Sequence, residues 1–213
     1  MIVVITMDFK VNDFLENFST KCCKTQIKTF EKGETITSYI AKRNQFCILI
    51  SGSADLIRYN LNGNKTIVEH FSSSDIFGEM FYTITTNNEL FVIAKEPSKV
   101  LFYIYDDIDT KCKNNCKFHS TLTESLPKLI LKKMIHLNSR IELLTKKTIR
   151  EKLLSYFSIL SNRSLSKTII IPFSLTDLAD YLNIDRSAMM RELRNLKDDG
   201  LIRKNRNKIT LLY

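Results

Sequence analysis

Arg186, Ser187, Met190, Arg191 and Arg194 recur at spacings that place all five on one side of a helix. Guanidinium groups so arranged can make bidentate bonds to guanine edges or pair with phosphates. Ser187 can bond a base or a phosphate, and Met190 offers apolar contact to a thymine methyl. Four more cations follow closely: Arg203, Lys204, Arg206 and Lys208. From Arg186 to Lys208 there are eight basic residues against three acidic ones, Glu192, Asp198 and Asp199, so the stretch suits a polyanion. The chemistry this predicts is contact with double-stranded DNA, with arginines reading bases and later cations meeting phosphates.

A second group has metal-ligand or thiol chemistry. In KCKNNCKFH, Cys112, Cys116 and His119 stand at i, i+4 and i+7, one face if the stretch is helical. Three soft or borderline ligands could meet there, although no fourth is evident. Cys22 and Cys23 are adjacent, which is a poor geometry for converging on one ion. The three histidines (His70, His119, His136) stand in no recognisable nucleophile context and no phosphate-binding glycine loop is present, so an enzyme is not expected.

The elements that must position the arginines lie in residues 173–208. Ser174, with Asp177 three residues on, caps a first helix that carries Leu175, Leu178, Ala179 and Leu182 on one face. Asn183 stands in the break, where a residue tolerant of positive φ is needed. Asp185 caps a second helix, which buries Ala188, Met189, Leu193 and Leu196 and ends at Gly200. Leu201 to Leu211 then form a hairpin with its turn near Asn205–Asn207. Two short helices around a tight break, followed by a basic hairpin, make a winged helix-turn-helix.

The chain of 213 residues is 44% hydrophobic, enough for one large or two smaller cores. Its formal net charge of +9 suits nucleic acid, and on its own it would equally suit an anionic membrane surface. The opening MIVVITM is too short for a signal peptide or a membrane span, so no membrane is expected as a partner; it reads as an edge strand, or as leader residues before a start at Met7. An odd number of cysteines, five (Cys22, Cys23, Cys47, Cys112, Cys116), scattered along a chain with no secretory signal expected, argues against a disulfide framework and for reducing cytoplasm.

Residues 8–18 carry Phe9, Phe14, Leu15 and Phe18, consistent with a short helix over a sheet. Between Lys24 and Tyr105, QIKTF, TITSYI, FCILI, ADLIRYN, KTIVEHF, FVIAK and VLFYIY are strand-like, rich in β-branched and aromatic residues. Gly33, Gly52, Gly63 and Gly78 fall in the breaks, which predicts a compact antiparallel barrel or jelly roll. Pro127 fits the first turn of a later helix. Ile130, Met134, Leu137, Ile141 and Leu144 then recur at coiled-coil spacing, with Lys132, Lys133, Arg140 and Lys146 largely off the seam. The seam fits pairing with a second copy; packing on the chain's own barrel is the alternative. A further helix, 148–160, opens the DNA-binding part, SNRSLSK reads as a loop or turn, and TIIIPF reads as a short strand.

FEKGETI (30–36), LISGSADLI (49–57), the hairpin YNLNGNKTI (59–67) and SDIFGEM (74–80) resemble the glycine-punctuated roll of the cyclic-nucleotide-binding domain. With the helix-turn-helix, the chain from roughly residue 8 to 213 resembles the Crp/Fnr family of bacterial transcription regulators. The resemblance implies an α+β fold: an antiparallel β jelly roll as effector domain (1–124), a dimerisation helix (125–148) and a winged helix-turn-helix (149–213). It implies a cytoplasmic homodimer on DNA that meets RNA polymerase if it activates. Phe77, Gly78 and Glu79 keep the family's pocket pattern, but Asn88 and Glu89 stand where cyclic-AMP binders place an arginine and a serine. A carboxylate there repels a phosphate, so cyclic AMP is disfavoured and an unknown non-nucleotide small molecule is expected. Ser187 stands where the family commonly has a glutamate, which puts the usual half-site in doubt. The family's clustered N-terminal cysteines for an iron–sulfur centre are absent. Two rivals remain: a roll that recruits a protein or anionic surface leaves the capped helices unexplained, and an enzyme would need more chain than lies outside roll and helix.

Overall fold

A computed structural model describes residues 25–40, 44–59, 63, 65–82, 89–104 and 117–213. These form two compact units, one ending at Ile135 and the other comprising His136–Tyr213, each considered by itself.

Among the described residues the first unit contains eight strands in two antiparallel sheets. The strands are β1 (Gln26–Phe30), β2 (Thr35–Ser38), β3 (Gln45–Ser51), β4 (Ser53–Tyr59), β5 (Lys65–Ser72), β6 (Ile76–Phe77), β7 (Glu89–Ala94) and β8 (Ser98–Ile104). One sheet has the order β1-β8-β3-β6 and the other β2-β7-β4-β5. Their facing side chains make one core: Cys47, Leu49, Phe77, Val100 and Phe102 from the first sheet meet Ile36, Ala54, Leu56, Phe71, Leu90 and Val92 from the second. The unbroken apolar run in β3 follows from burial on both sides. Cys47 and Leu49 face the core, while Phe46, Ile48 and Ile50 lie on the opposite face, with Leu129 of the helix that follows.

That helix, α1 (Lys117–Thr145), begins earlier than the sequence suggests, so Pro127 lies in its interior instead of its first turn. Pro127 and Thr123 both lie on the exposed side, so the missing ladder bond faces water and the helix tolerates the proline. Ile130, Met134, Ile141 and Leu144 are exposed and Leu137 is half-buried, whereas Leu129, Lys133, Arg140 and Leu143 are buried. The heptad seam is therefore bare in the single chain, while the neighbouring face of α1, carrying Leu129, Lys133, Arg140 and Leu143, is buried.

The second unit adds α2 (Ile149–Ser164), α3 (Leu175–Leu182) and α4 (Arg186–Asp198). The first of these runs on through Ser164, so part of the segment read as a loop is helical. A small antiparallel sheet of β9 (Thr168–Ile170), β10 (Ile202–Asn205) and β11 (Lys208–Leu211) has the order β10-β11-β9. Thr148 and Glu151 close a capping box at the start of α2. Leu153, Phe157, Leu178, Leu182, Met189, Leu193, Leu196 and Ile209 are all buried in this unit. Among the described residues no helix is long and apolar enough to cross a membrane.

The residues 8–18, Cys22, Cys23, Asn88, Cys112 and Cys116 lie outside the described residues, as do the side chains of Glu89 and His119.

Candidate nucleic-acid interface

Local chemistry fixes both helices of the helix-turn-helix. Ser174 Oγ accepts from the Asp177 amide at 3.1 Å and donates to the Asp177 carboxylate at 2.9 Å. Asp185 Oδ1 accepts from the Ala188 amide at 2.7 Å. Asn183 takes the left-handed conformation between them, at φ 50°. At the far end Gly200 has φ 70°, its amide bonds the Lys197 carbonyl, and the Leu201 amide bonds the Leu196 carbonyl. That pair of bonds closes α4 with a Schellman motif, which a glycine at this position permits.

The inner side of α4 carries Met189, Leu193 and Leu196, all buried. Its outer side presents Arg186, Ser187, Met190, Arg191 and Arg194, all exposed. The wing is the β10–β11 hairpin, with Arg206 at φ 52° in its turn. Arg203, Arg206 and Lys208 are exposed; Lys204 is half-buried on the side of β10 that carries Ile202. The structure thus places all nine sequence-derived contact residues on α4 and the wing that follows it.

Two further residues shape this surface and were not singled out from sequence. Arg150 of α2 pairs with Glu192 at 3.2 Å and Asp199 at 2.5 Å. It pairs with two of the three carboxylates in the basic stretch and ties α2 to the middle and the C-terminal cap of α4. Arg140 of α1 lies with its guanidinium carbon 3.7 Å from the centroid of the Tyr181 ring and donates to the Tyr181 carbonyl, in the last turn of α3. A cation at a helix C-terminus is favoured, and the Tyr181 ring is itself packed on Phe173 at 4.8 Å.

The expected effector residues lie in the roll. Phe77 is fully buried and stacks on Phe71 at 4.8 Å. Gly78 passes so close to β3 that a Cβ would come within 2.6 Å of the Gln45 carbonyl oxygen. Glu79 is buried, and its Oε1 accepts the Gln45 amide at 3.1 Å. Beside these, Lys133 of α1 pairs with Glu69 of β5, both buried, and Tyr82 donates its hydroxyl to the same carboxylate. Burial lowers the Lys133 ammonium pKa against the opposing pull of Glu69, and burial raises those of Tyr82, Tyr39 and Cys47. On β4, buried Asp55 pairs with His70 at 2.7 Å and Lys95 at 3.3 Å. Among the described residues no cluster of three or more metal-type ligands occurs; Cys112, Cys116 and the His119 side chain are not among them.

Family models match both parts of the chain: a cyclic nucleotide-binding domain over residues 27–115 and a Crp-like helix-turn-helix domain over residues 151–213. The chain belongs to the Crp/Fnr family of transcription regulators. It is a DNA-binding regulator of the Crp/Fnr type. Crp/Fnr-fold structures similar to it include FixK2 from Bradyrhizobium japonicum, at 16% identity and TM-score 0.65, covering 89% of this chain and 93% of that one. A CooA mutant from Carboxydothermus hydrogenoformans matches at 15% identity and TM-score 0.70, over 88% and 84% of the two chains. The c-di-GMP responsive regulator CLP of Xanthomonas campestris matches at 16% and 0.64, over 94% and 98%. At these identities the likeness is one of fold. No curated protein matches the sequence.

Proposed function

We propose that this Crp/Fnr regulator works as a cytoplasmic homodimer that reads a two-part DNA site, responds to a signal other than cyclic AMP, and is not an enzyme. The observation that carries the reading is the exposed arginine stripe on a helix capped at both ends, next to a basic wing. Pairing rests on the bare seam of α1, where Met134 is 56% and Ile141 60% exposed. Two α4 helices would then enter major grooves about one helical turn, ~34 Å, apart. Arg186, Ser187, Met190, Arg191 and Arg194 are assigned to bases and nearby phosphates, and Arg203, Lys204, Arg206 and Lys208 to the backbone. If the regulator activates, RNA polymerase is its further partner.

The exclusion of cyclic AMP rests on charge: Asn88 and Glu89 stand where the family's arginine and serine are expected to hold the phosphate, and Glu79 is a further buried carboxylate in the roll. The fold itself does not fix the ligand. CLP is described as c-di-GMP responsive and CprK as complexed with OCPA, on similar frames. Metal or thiol sensing at Cys112, Cys116 and His119 is tested by metal analysis of protein purified without oxygen.

Gel shifts over a salt series test the DNA reading. Arg191→Ala should cost ~1–3 kcal/mol, mainly at one base pair, while Lys204→Ala should weaken all sequences alike. Equal losses on specific and random DNA for both variants would refute the division, and salt-independent binding would refute phosphate contact.

A further inference from the structure

The roll encloses a cation, and the chain itself supplies it. Lys133 Nζ lies 2.6 Å from each oxygen of Glu69. The same nitrogen is 4.8 Å from the centroid of the Phe71 ring, 5.5 Å from that of Phe81 and 5.7 Å from that of Tyr82. Side chains of Lys133 and Glu69 are each 4% exposed. A carboxylate with three aromatic rings around one nitrogen is the arrangement that selects an organic ammonium ion. All four box residues belong to the roll: Glu69 and Phe71 to β5, Phe81 and Tyr82 to the turn after β6. Only the ammonium comes from α1.

The neighbouring lysine shows how different this placement is. Lys132 reaches Asp75 at 2.8 Å and the Ser74 carbonyl at 3.3 Å from a side chain 42% exposed, an ordinary rim contact. Lys133, one residue on, is wholly inside.

We propose that the roll carries a binding site for a primary ammonium ion, filled in this state by Lys133, and that the regulator's signal is a small alkylamine that takes the lysine's place. The assignment rests on the reading of the roll as the sensor. Charge selects the class of ligand. An anion entering the box meets Glu69, with Glu79 also buried in the roll, and a neutral molecule that expels Lys133 removes the ammonium that sits on both oxygens of the buried Glu69 carboxylate and puts no charge in its place. A primary ammonium ion restores both the pairing and the ring contacts, while a quaternary one restores only the rings, because it has no N–H to donate. Lys133, once expelled, regains its hydration at the end of a flexible stem. The exchange removes an ion pair that ties α1 to the roll, one residue from the seam residue Met134.

The test uses the full chain and n-butylammonium, the length of the lysine side chain. In calorimetry, Lys133→Ala should bind butylammonium at least tenfold tighter than n-butanol or tetramethylammonium, and Glu69→Gln in the same background should abolish the preference. Equal binding of the three probes, or a preference that survives Glu69→Gln, overturns the site. In the unmutated protein labelled with 15N-lysine, one Nζ resonance should be displaced by the rings. Excess butylammonium, and not butanol, should return it to the solvent position; a resonance that stays in place overturns the exchange. Butylammonium should also change the affinity of the unmutated protein for DNA at least threefold, and no change overturns the assignment as signal. If no DNA is bound under any condition, the regulator reading fails while the calorimetric result on the box stands by itself.

Discussion

Breaking the Glu69–Lys133 pair from one side should cost far more than removing both charges. Both groups are buried at 2.6 Å, so solvent screening does little to weaken the pair. Removing one partner of a buried pair typically costs ~3–5 kcal/mol, because the other charge stays behind uncompensated. Glu69→Gln keeps a carbonyl that can accept from Lys133, which places it near the lower end, ~3 kcal/mol. Lys133→Met leaves Glu69 with the Tyr82 hydroxyl as a donor, and ~3 kcal/mol is again expected. The double variant strands no charge, and replacing a buried pair by groups of similar volume is often neutral, so ~1 kcal/mol is expected. The coupling energy is then about 5 kcal/mol, far beyond the deviation seen for independent sites. Urea denaturation followed by the β-sheet circular dichroism signal measures it; the chain has no tryptophan to report instead. A pH arm separates charge from packing. Burial depresses the Lys133 ammonium pKa, and without Glu69 only the charge of Asp75 still opposes that desolvation. The unfolded lysine then binds a proton that the folded one sheds, so the stability of Glu69→Gln should rise relative to the unmutated protein between pH 7 and 9.5. Additive single losses, or a Glu69→Gln penalty that is small and flat with pH, would refute the reasoning.

Burial also holds the Cys47 thiol protonated well above its ordinary range, so an unfolded chain ionises that thiol first as pH rises. Stability from this group is full below about pH 8.5 and should fall by ~1.4 kcal/mol per pH unit above it; Cys47→Ala should lose that slope in melts from pH 8 to 10. Gly52→Ala should cost more than ~2 kcal/mol by denaturation, because the position has φ 90° and a Cβ would come within 2.3 Å of Ser98 Oγ and 2.6 Å of the Pro97 carbonyl oxygen. Gly33→Ala, at the same φ with open space around it, should cost only ~1–2 kcal/mol. Arg140→Lys keeps the charge but loses the planar stack on Tyr181, and a thermal melt should show a loss of ~1–2 kcal/mol.

What the sequence revealed and what it hid divide by the range of the interactions involved. Ser174, Asp185, Asn183 and Gly200 could be read in place because each acts within four residues of itself, through a cap or a left-handed turn. The arginine stripe on α4 followed from the same local periodicity. Lys133 and Arg140 escaped, although they stand seven residues apart on one helix, because their partners lie 64 and 41 residues away in sequence. Charge also masked them, since lysine and arginine off a heptad seam are ordinarily solvated. One signal was available. Leu126, Leu129, Lys133, Arg140 and Leu143 continue a second stripe on the face of α1 about 100° round from the seam, each of the last four just before a seam residue, and a helix with two such faces has to place the cations interrupting one of them somewhere. A buried cation requires an anion or a ring. The strands opposite that stripe offered both, in Glu69 and Phe71 at alternate positions of β5. The basic residues that matter most to the interior are thus the ones a net charge of +9 invites a reader to assign to the surface.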